Sequence, residues 1–146
     1  MIEKASIEDI PQLCDLLEML FDMESDFLPD RTKQTEGLKQ IIGNPEVGCI
    51  LVFREGNDIC GMVNLLYTVS TACGGRVAML EDLIVKPEQR GMKIGSSLLD
   101  AAIDHARTSG CLRITLLTDS GNLGAIRLYH RFGFSRSDMI PLRLFP

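Results

Sequence analysis

Between Arg76 and Ala106 an apolar stretch, a polar loop with two glycines and an amphipathic helix follow one another without a break. No other part of the chain constrains the fold as much. Arg76 to Val85 reads as a strand from its Val, Leu and Ile content. After the polar run from Lys86 to Gly95, the residues Ile94, Leu98, Ala102 and Ala106 recur every four positions, flanked by Leu99 and Ile103. That period marks a helix with one buried stripe, and Gly110 stands where a C-terminal glycine cap belongs. A striped helix that follows a strand has to pack on the sheet holding that strand, so the chain is committed to the α/β class.

The remaining elements extend this alternation. Residues 1–5 read as a short first strand. Ser6 with Asp9 three positions on forms a capping-box signal, and Ile10, Leu13, Leu17 and Leu20 carry a first helix near 7–22. The acidic run 22–31 reads as a loop, and 33–43 as a second helix ending at Gly43. Cys49 to Arg54 and Ile59 to Ser70 are strands joined by the Gly56-Asn57 turn. Leu112 to Thr118 is a further strand, 122–132 a helix, and 134–144 two short strands around Ser137-Asp138. No linker, repeat or low-complexity tract interrupts the chain, so residues 1–146 are expected to form a single domain.

Composition narrows the functional classes. Apolar residues are 45% and charged residues 24% of the 146, which excludes a disordered or fibrous chain. The apolar runs fall far short of the roughly 18 residues that span a bilayer. The opening MIEKASIEDI carries acids where a signal peptide needs an apolar stretch. No membrane association and a cytoplasmic location are the expectations. Fifteen Lys plus Arg against 20 Asp plus Glu give a net charge of −5, so no nucleic-acid partner is expected. The cysteines are Cys14, Cys49, Cys60, Cys73 and Cys111. Their number is odd, no CxxC pair occurs, and no His lies at ligand spacing. They read as reduced thiols filling the core, with no metal site.

Two stretches carry chemistry. A strand, a glycine-containing loop and a helix start make a phosphate grip, because the first helix amides have no internal partners and the dipole favours an anion. Arg90 and Lys93 add positive charge there, although neither GxxxxGK[ST] nor GxGxxG is present. The alternative is a solvated cationic turn. The second stretch is Asn122-Leu123-Gly124-Ala125-Ile126-Arg127-Leu128-Tyr129-His130-Arg131-Phe132-Gly133-Phe134. On a helix, Ala125, Leu128 and Phe132 form its buried face, with Tyr129 at the edge of that stripe. There the ring packs while the hydroxyl reaches outward. Asn122 is placed to cap the helix.

Taken together and in this order, a strand with Glu81, RGMKIGSSLL on a helix start, and NLGAIRLYHRFGF resemble the GNAT N-acetyltransferase family over nearly the whole chain. The family's coenzyme A loop, Gln/Arg-x-x-Gly-x-Gly/Ala, corresponds to Arg90, Gly91, Met92, Lys93, Ile94 and Gly95, with Lys93 where the family has a glycine. The resemblance implies a mixed, mostly antiparallel sheet of about seven strands with four flanking helices. It also implies transfer of an acetyl group from acetyl-CoA to a primary amine by direct attack in a ternary complex. The pyrophosphate would lie on the amides of Arg90 to Gly95 and Ser96. The pantetheine arm would pair along Leu83, Ile84 and Val85, with Asn122 assisting from the far side.

The chemistry needs two proton transfers. Fewer than one lysine-like amine in two thousand is neutral at pH 7, so a base is required. Glu81 is the family's candidate, working through water; the alternative is a pair with a basic side chain across the sheet. Strand neighbours alternate faces, so only one of Glu81 and Asp82 is expected to face the cleft. Tyr129 corresponds to the family's general acid for the departing thiolate. His105 and His130 sit on helix faces expected to be exposed. Asp22, Glu24, Asp26 and Asp30 lie where the family covers the acceptor, and LEDLIV resembles the corresponding strand of polyamine acetyltransferases. A small cationic amine, or a lysine or N-terminal amine, is the expected acceptor, with a solvated acidic loop as the alternative. The family also makes a homodimer plausible, with the C-terminal IPLRLF pairing across an interface; the alternative is that its apolar residues fill the monomer's own core. The competing functional reading, motivated by Lys93, is a non-catalytic acyl-CoA-binding regulatory module.

Overall fold

The computed structural model describes residues 1–23 and 28–146. Five strands form one sheet in the order β1-β2-β3-β4-β5, with β1 Ile2–Lys4, β2 Gly48–Glu55, β3 Asp58–Ser70, β4 Gly75–Val85 and β5 Ile114–Leu116. The first four pair antiparallel and β5 joins β4 in parallel. Helices α1 Ile10–Met23 and α2 Arg31–Ile42 cover one face, and α3 Ile94–Thr108 and α4 Leu123–Arg131 the other.

Alternation along the strands builds the two cores. Ile50, Val52, Ile59, Met62 and Ile84 point to α1 and α2, where Leu13 and Leu16 are fully buried. Leu51, Cys60, Val63, Leu65 and Leu80 point to α3. The stripe expected on α3 is the one observed: Ile94, Leu98, Leu99, Ala102 and Ala106 are all buried. Each buried leucine contributes roughly 1.5–3 kcal/mol relative to exposure.

Local signals set the element ends. Asp9 Oδ2 accepts from the Ser6 amide at 2.8 Å, as the capping signal implied. Asp30, in the acidic stretch, stands directly ahead of the second helix. Its side chain caps α2, accepting from the amides of Thr32 and Lys33 at 3.1 Å each, so α2 starts at Arg31 rather than at residue 33. Likewise Asp22 lies within the last turn of α1 and not in a loop.

The sheet has five strands among the described residues, and 134–144 adds none. Met139, Ile140, Leu142, Leu144 and Phe145 are 78–88% exposed. Despite their strand-like composition they pair with no strand of the sheet, and backbone polar groups form a ladder only where a second strand supplies the partners. Among the described residues, no helix is long and apolar enough to cross a membrane.

Candidate functional site

The site is organised around a notch in the sheet. β5 pairs with β4 only at Ala78, Met79 and Leu80. Beyond Leu80, β4 runs on through Glu81 to Val85 with no β5 partner on that edge. An extended ligand with amide groups can take up the unpaired edge. Leu83 and Val85 direct their side chains to the α3 core, while Ile84 is 5% exposed in the α1 core. Ile84 therefore offers only its backbone.

The loop at the end of β4 delivers the chain to α3. Gly91 has φ 84° and Lys93 φ 63°, ψ 18°, so the loop uses two left-handed residues. The glycine adopts this freely, whereas Lys93 holds the conformation at a cost of roughly 1–2 kcal/mol. No side chain caps α3, which leaves the amides of Ile94, Gly95 and Ser96 without intrahelical partners. A Cβ on Gly95 would meet nothing closer than Val85 Cγ2 at 3.7 Å. The protein's own packing thus leaves room there, and the glycine matters only if a ligand approaches the backbone. The Arg90 guanidinium bonds the Val85 carbonyl at 3.3 Å and reaches Met23 Sδ at 3.7 Å, joining the loop to the end of α1. Arg90, Gly91, Met92 and Lys93 are exposed, and Gly95 and Ser96 half-buried.

The carboxylates differ from the expectation of alternating faces. Met62 faces Ile84 and Asn64 faces Glu81, so one residue of β3 stands opposite two of β4, Asp82 and Leu83. This is a β-bulge, and Asp82 at φ 54° supplies its left-handed residue. Glu81 shares a side of the sheet with its partner Asn64, and Asp82 accepts from Asn64 Nδ2 at 3.3 Å. The bulge thereby brings both acids to the α1/α2 side, where simple alternation would have divided them. Glu81 is exposed and Asp82 half-buried. Burial pushes the Asp82 carboxyl up to about 6; the Asn64 bond opposes that rise and the Glu81 charge adds to it. Sequence reasoning missed Asn64, whose role follows from strand register alone.

Tyr129 lies on the α3/α4 side of the sheet. It is half-buried and packs edge-on against Phe134, with ring centroids 5.9 Å apart at 68°. Phe132, Leu128, Leu83 and Val85 border the same cluster. The helix face expected to be buried is only half so, because α4 contains no fully buried residue. Asn122 caps α4, its Oδ1 accepting from the Ala125 amide at 3.2 Å, which leaves its Nδ2 for other partners.

Other expectations fall elsewhere. Glu24 and Asp26 lie outside the described residues, and Asp22 is exposed at the end of α1. His130 is exposed, but His105 is half-buried. Burial, and then the charge of Lys4, lowers the His105 pKa. His105 lines a cleft of about 210 Å³ with Lys4, Tyr67, Arg76 and Ser109. That cleft sits at the start of β4 and includes none of the site residues above. All five cysteines are free thiols. Among the described residues, no group of His, Cys, Asp and Glu is placed to hold a metal ion.

Comparison with known proteins identifies the family of the chain. The family model described as "Acetyltransferase (GNAT) family" matches residues 12–134. An aminoalkylphosphonate N-acetyltransferase of Salmonella typhimurium is 29% identical over 93% of this chain and 85% of its own. A thialysine N-epsilon-acetyltransferase of Sus scrofa is 32% identical over 91% and 82%. An uncharacterized N-acetyltransferase of Bacillus subtilis, YhfO, is 35% identical over 66% of this chain, and the match spans 64% of that relative's length. Among solved structures, a predicted acetyltransferase with acetyl-CoA from Clostridium acetobutylicum superposes with a TM-score of 0.82 at 19% identity, covering 98% and 95% of the two chains. At that identity the likeness concerns the fold. The chain belongs to the acetyltransferase (GNAT) family, and the acetyl donor of that fold is acetyl-CoA.

Proposed function

We propose that the protein is an N-acetyltransferase, with residues 1–146 as its single catalytic domain, moving an acetyl group from acetyl-CoA to a primary amine. The observation that carries this reading is the unpaired edge of β4 beside the uncapped start of α3. The edge suits the amides of a pantetheine arm, and the helix start suits a pyrophosphate. Residues 83–85 and the run Arg90 to Ser96 are the cofactor contacts, with Asn122 beside them. The free amides remain because Lys93 takes up the left-handed angle that a glycine would.

The reaction proceeds by direct attack. The ammonium of the acceptor loses a proton to a carboxylate on the α1/α2 side of the notch, and the neutral amine attacks the thioester carbonyl. The Tyr129 hydroxyl protonates the departing thiolate from the α3/α4 side. The proton acceptor is Glu81, through water, or its bulge neighbour Asp82. A carboxyl poised near neutrality is the better-matched base, which favours Asp82. The two acids suit a small cationic amine such as a polyamine, or a lysine-type or N-terminal amine, with Asp22 a further candidate on α1. The printed names of two relatives, acting on an aminoalkylphosphonate and on thialysine, concern amines as well. Five exposed apolar side chains between 139 and 145 support a homodimer formed through that segment.

The test is coenzyme A thiol release with a panel of polyamines, amino acids, aminoglycosides and peptides. Turnover with one class, lowered roughly 10²-fold or more in Tyr129→Phe with acetyl-CoA affinity kept, is expected for a lost general acid. Equal turnover in the two proteins removes Tyr129 from the mechanism. Acetyl-CoA binding without turnover on any amine favours the non-catalytic acyl-CoA-binding module.

A further inference from the structure

Asn64 is a polar residue in the middle of a buried strand. It is 3% exposed, and β3 is otherwise apolar from Ile59 to Leu66, with Gly61 as its one glycine. Its amide nitrogen donates to Asp82 Oδ2 at 3.3 Å, and its amide oxygen is buried with no hydrogen-bond partner. A buried acceptor left unpaired costs roughly 1–3 kcal/mol. An apolar residue would avoid that penalty, so the position asks for an explanation.

A carboxyl that changes protonation state supplies one. Charged Asp82 needs a donor, which Nδ2 provides. Protonated Asp82 becomes a donor itself and needs an acceptor. A half-turn of the amide puts Oδ1 in the place of Nδ2, 3.3 Å from Asp82 Oδ2. An asparagine therefore serves both states with one side chain, where a lysine or a leucine serves at most one. The bulge fixes the arrangement: it sets Asn64 opposite Glu81 and turns Asp82 back toward Asn64.

We propose that Asn64 is the positioning residue of the proton acceptor, holding Asp82 at the bulge in its charged form and accepting from it once it has taken the proton of the incoming ammonium. This rests on the acetyl-transfer reading above. In proton terms, the ammonium N–H bond breaks and an Asp82 O–H bond forms, and that O–H then donates to Asn64 Oδ1. Glu81 is the charged group that bears on Asp82 from its own strand. On α1, Asp15 and Glu18 are paired with Arg31 at 2.9 and 3.0 Å, and Asp22 is exposed. From the loop, Arg90 is engaged with Val85 and Met23.

The experiment compares wild type, Asn64→Leu and Asn64→Ser by infrared titration of the protonated-carboxyl band, identified as the band missing in Asp82→Asn. In parallel, the pH profile of kcat/KM is recorded. In wild type the band is expected to titrate near pH 6. In Asn64→Leu its midpoint should rise by about one pH unit, the scale of one lost hydrogen bond to a charged group. The acid limb of kcat/KM should rise with it while acetyl-CoA affinity stays unchanged. Asn64→Ser, which keeps a hydroxyl, should move less, and it decides the matter if the leucine variant does not fold. An absent Asp82 band between pH 4 and 8, or an unmoved midpoint in a folded variant, overturns the proposal. A midpoint that moves while the kcat/KM profile stays fixed upholds the coupling of Asn64 to Asp82 and removes Asp82 as the proton acceptor.

Discussion

Lys93 and Asp82 are the two non-glycine residues with positive φ among the described residues, and both stand at the notch. Strain of this kind persists where the surroundings over-determine it. At Lys93 the strain has a measurable consequence. Lys93→Gly relieves the left-handed penalty and adds unfolded-state entropy, for a net stabilisation of about 0.5–1 kcal/mol. Thermal unfolding should show a midpoint raised by about 2–4 °C in a chain of this size. A lowered midpoint would mean that the lysine side chain contributes more than its backbone angle costs. Asp82 is the same device with a second purpose, since its angle also brings its carboxyl to Asn64.

At the scale of elements, close approach sets the limits. A Cβ on Gly48 would collide with the Leu65 carbonyl oxygen across the β2–β3 ladder and come within 3.2 Å of Leu66 Cδ2. Gly37, inside α2, has nothing within 4 Å of a Cβ. Gly48→Ala is expected to destabilise by about 2–3 kcal/mol through a forced backbone shift, and Gly37→Ala to stabilise by about 0.5–1 kcal/mol through helix propensity. Urea unfolding of the two variants checks this pair. Equal effects would show that strand separation at Gly48 adjusts freely. The loop from Lys86 to Gly95 obeys a different logic, because Gly95 has room for a side chain and is left bare.

For the whole molecule, one partly buried ion cluster ties the N-terminus to the sheet. Arg54 on β2 donates twice to Asp9 at 2.9 Å and also bonds Glu3 on β1. Asp9 is 6% exposed. Burial alone would raise its pKa, but hydrogen bonds from Ser6 and Arg54 and the Arg54 charge outweigh it, and the pKa lies below the usual aspartate value. A depressed carboxylate stabilises the fold above its unfolded pKa of about 3.8, and that contribution is lost as the pH falls through the folded value. Asp9→Ala should therefore cost about 2–3 kcal/mol at pH 7, and the gap from wild type should narrow below about pH 4. Denaturant unfolding at pH 7 and pH 3 reads the difference directly. A gap that stays constant would place the stabilisation in packing rather than in charge.

Much of this was legible from local signals. The stripe Ile94, Leu98, Ala102 and Ala106, the Ser6–Asp9 cap, the Asn122 cap and the loop from Arg90 to Gly95 depend on residues within a few positions of one another. Local periodicity and capping chemistry report such features. The strands expected within 134–144 are missing because strand formation depends on a partner edge that composition does not reveal. Asp30 had the same ambiguity: an acid ahead of a helix reads as a loop charge until its amide partners are seen. By itself the sequence determined the α/β class, the order of helices and the glycine-containing loop that starts α3, since each follows from contacts along the chain. Only the tertiary structure decided that Glu81 and Asp82 share a side, that Asn64 bonds one of them, and that Tyr129 packs on the other side of the sheet. Those relations depend on strand register and on one extra residue in β4, and a bulge is set by the pairing of two distant segments rather than by either one alone.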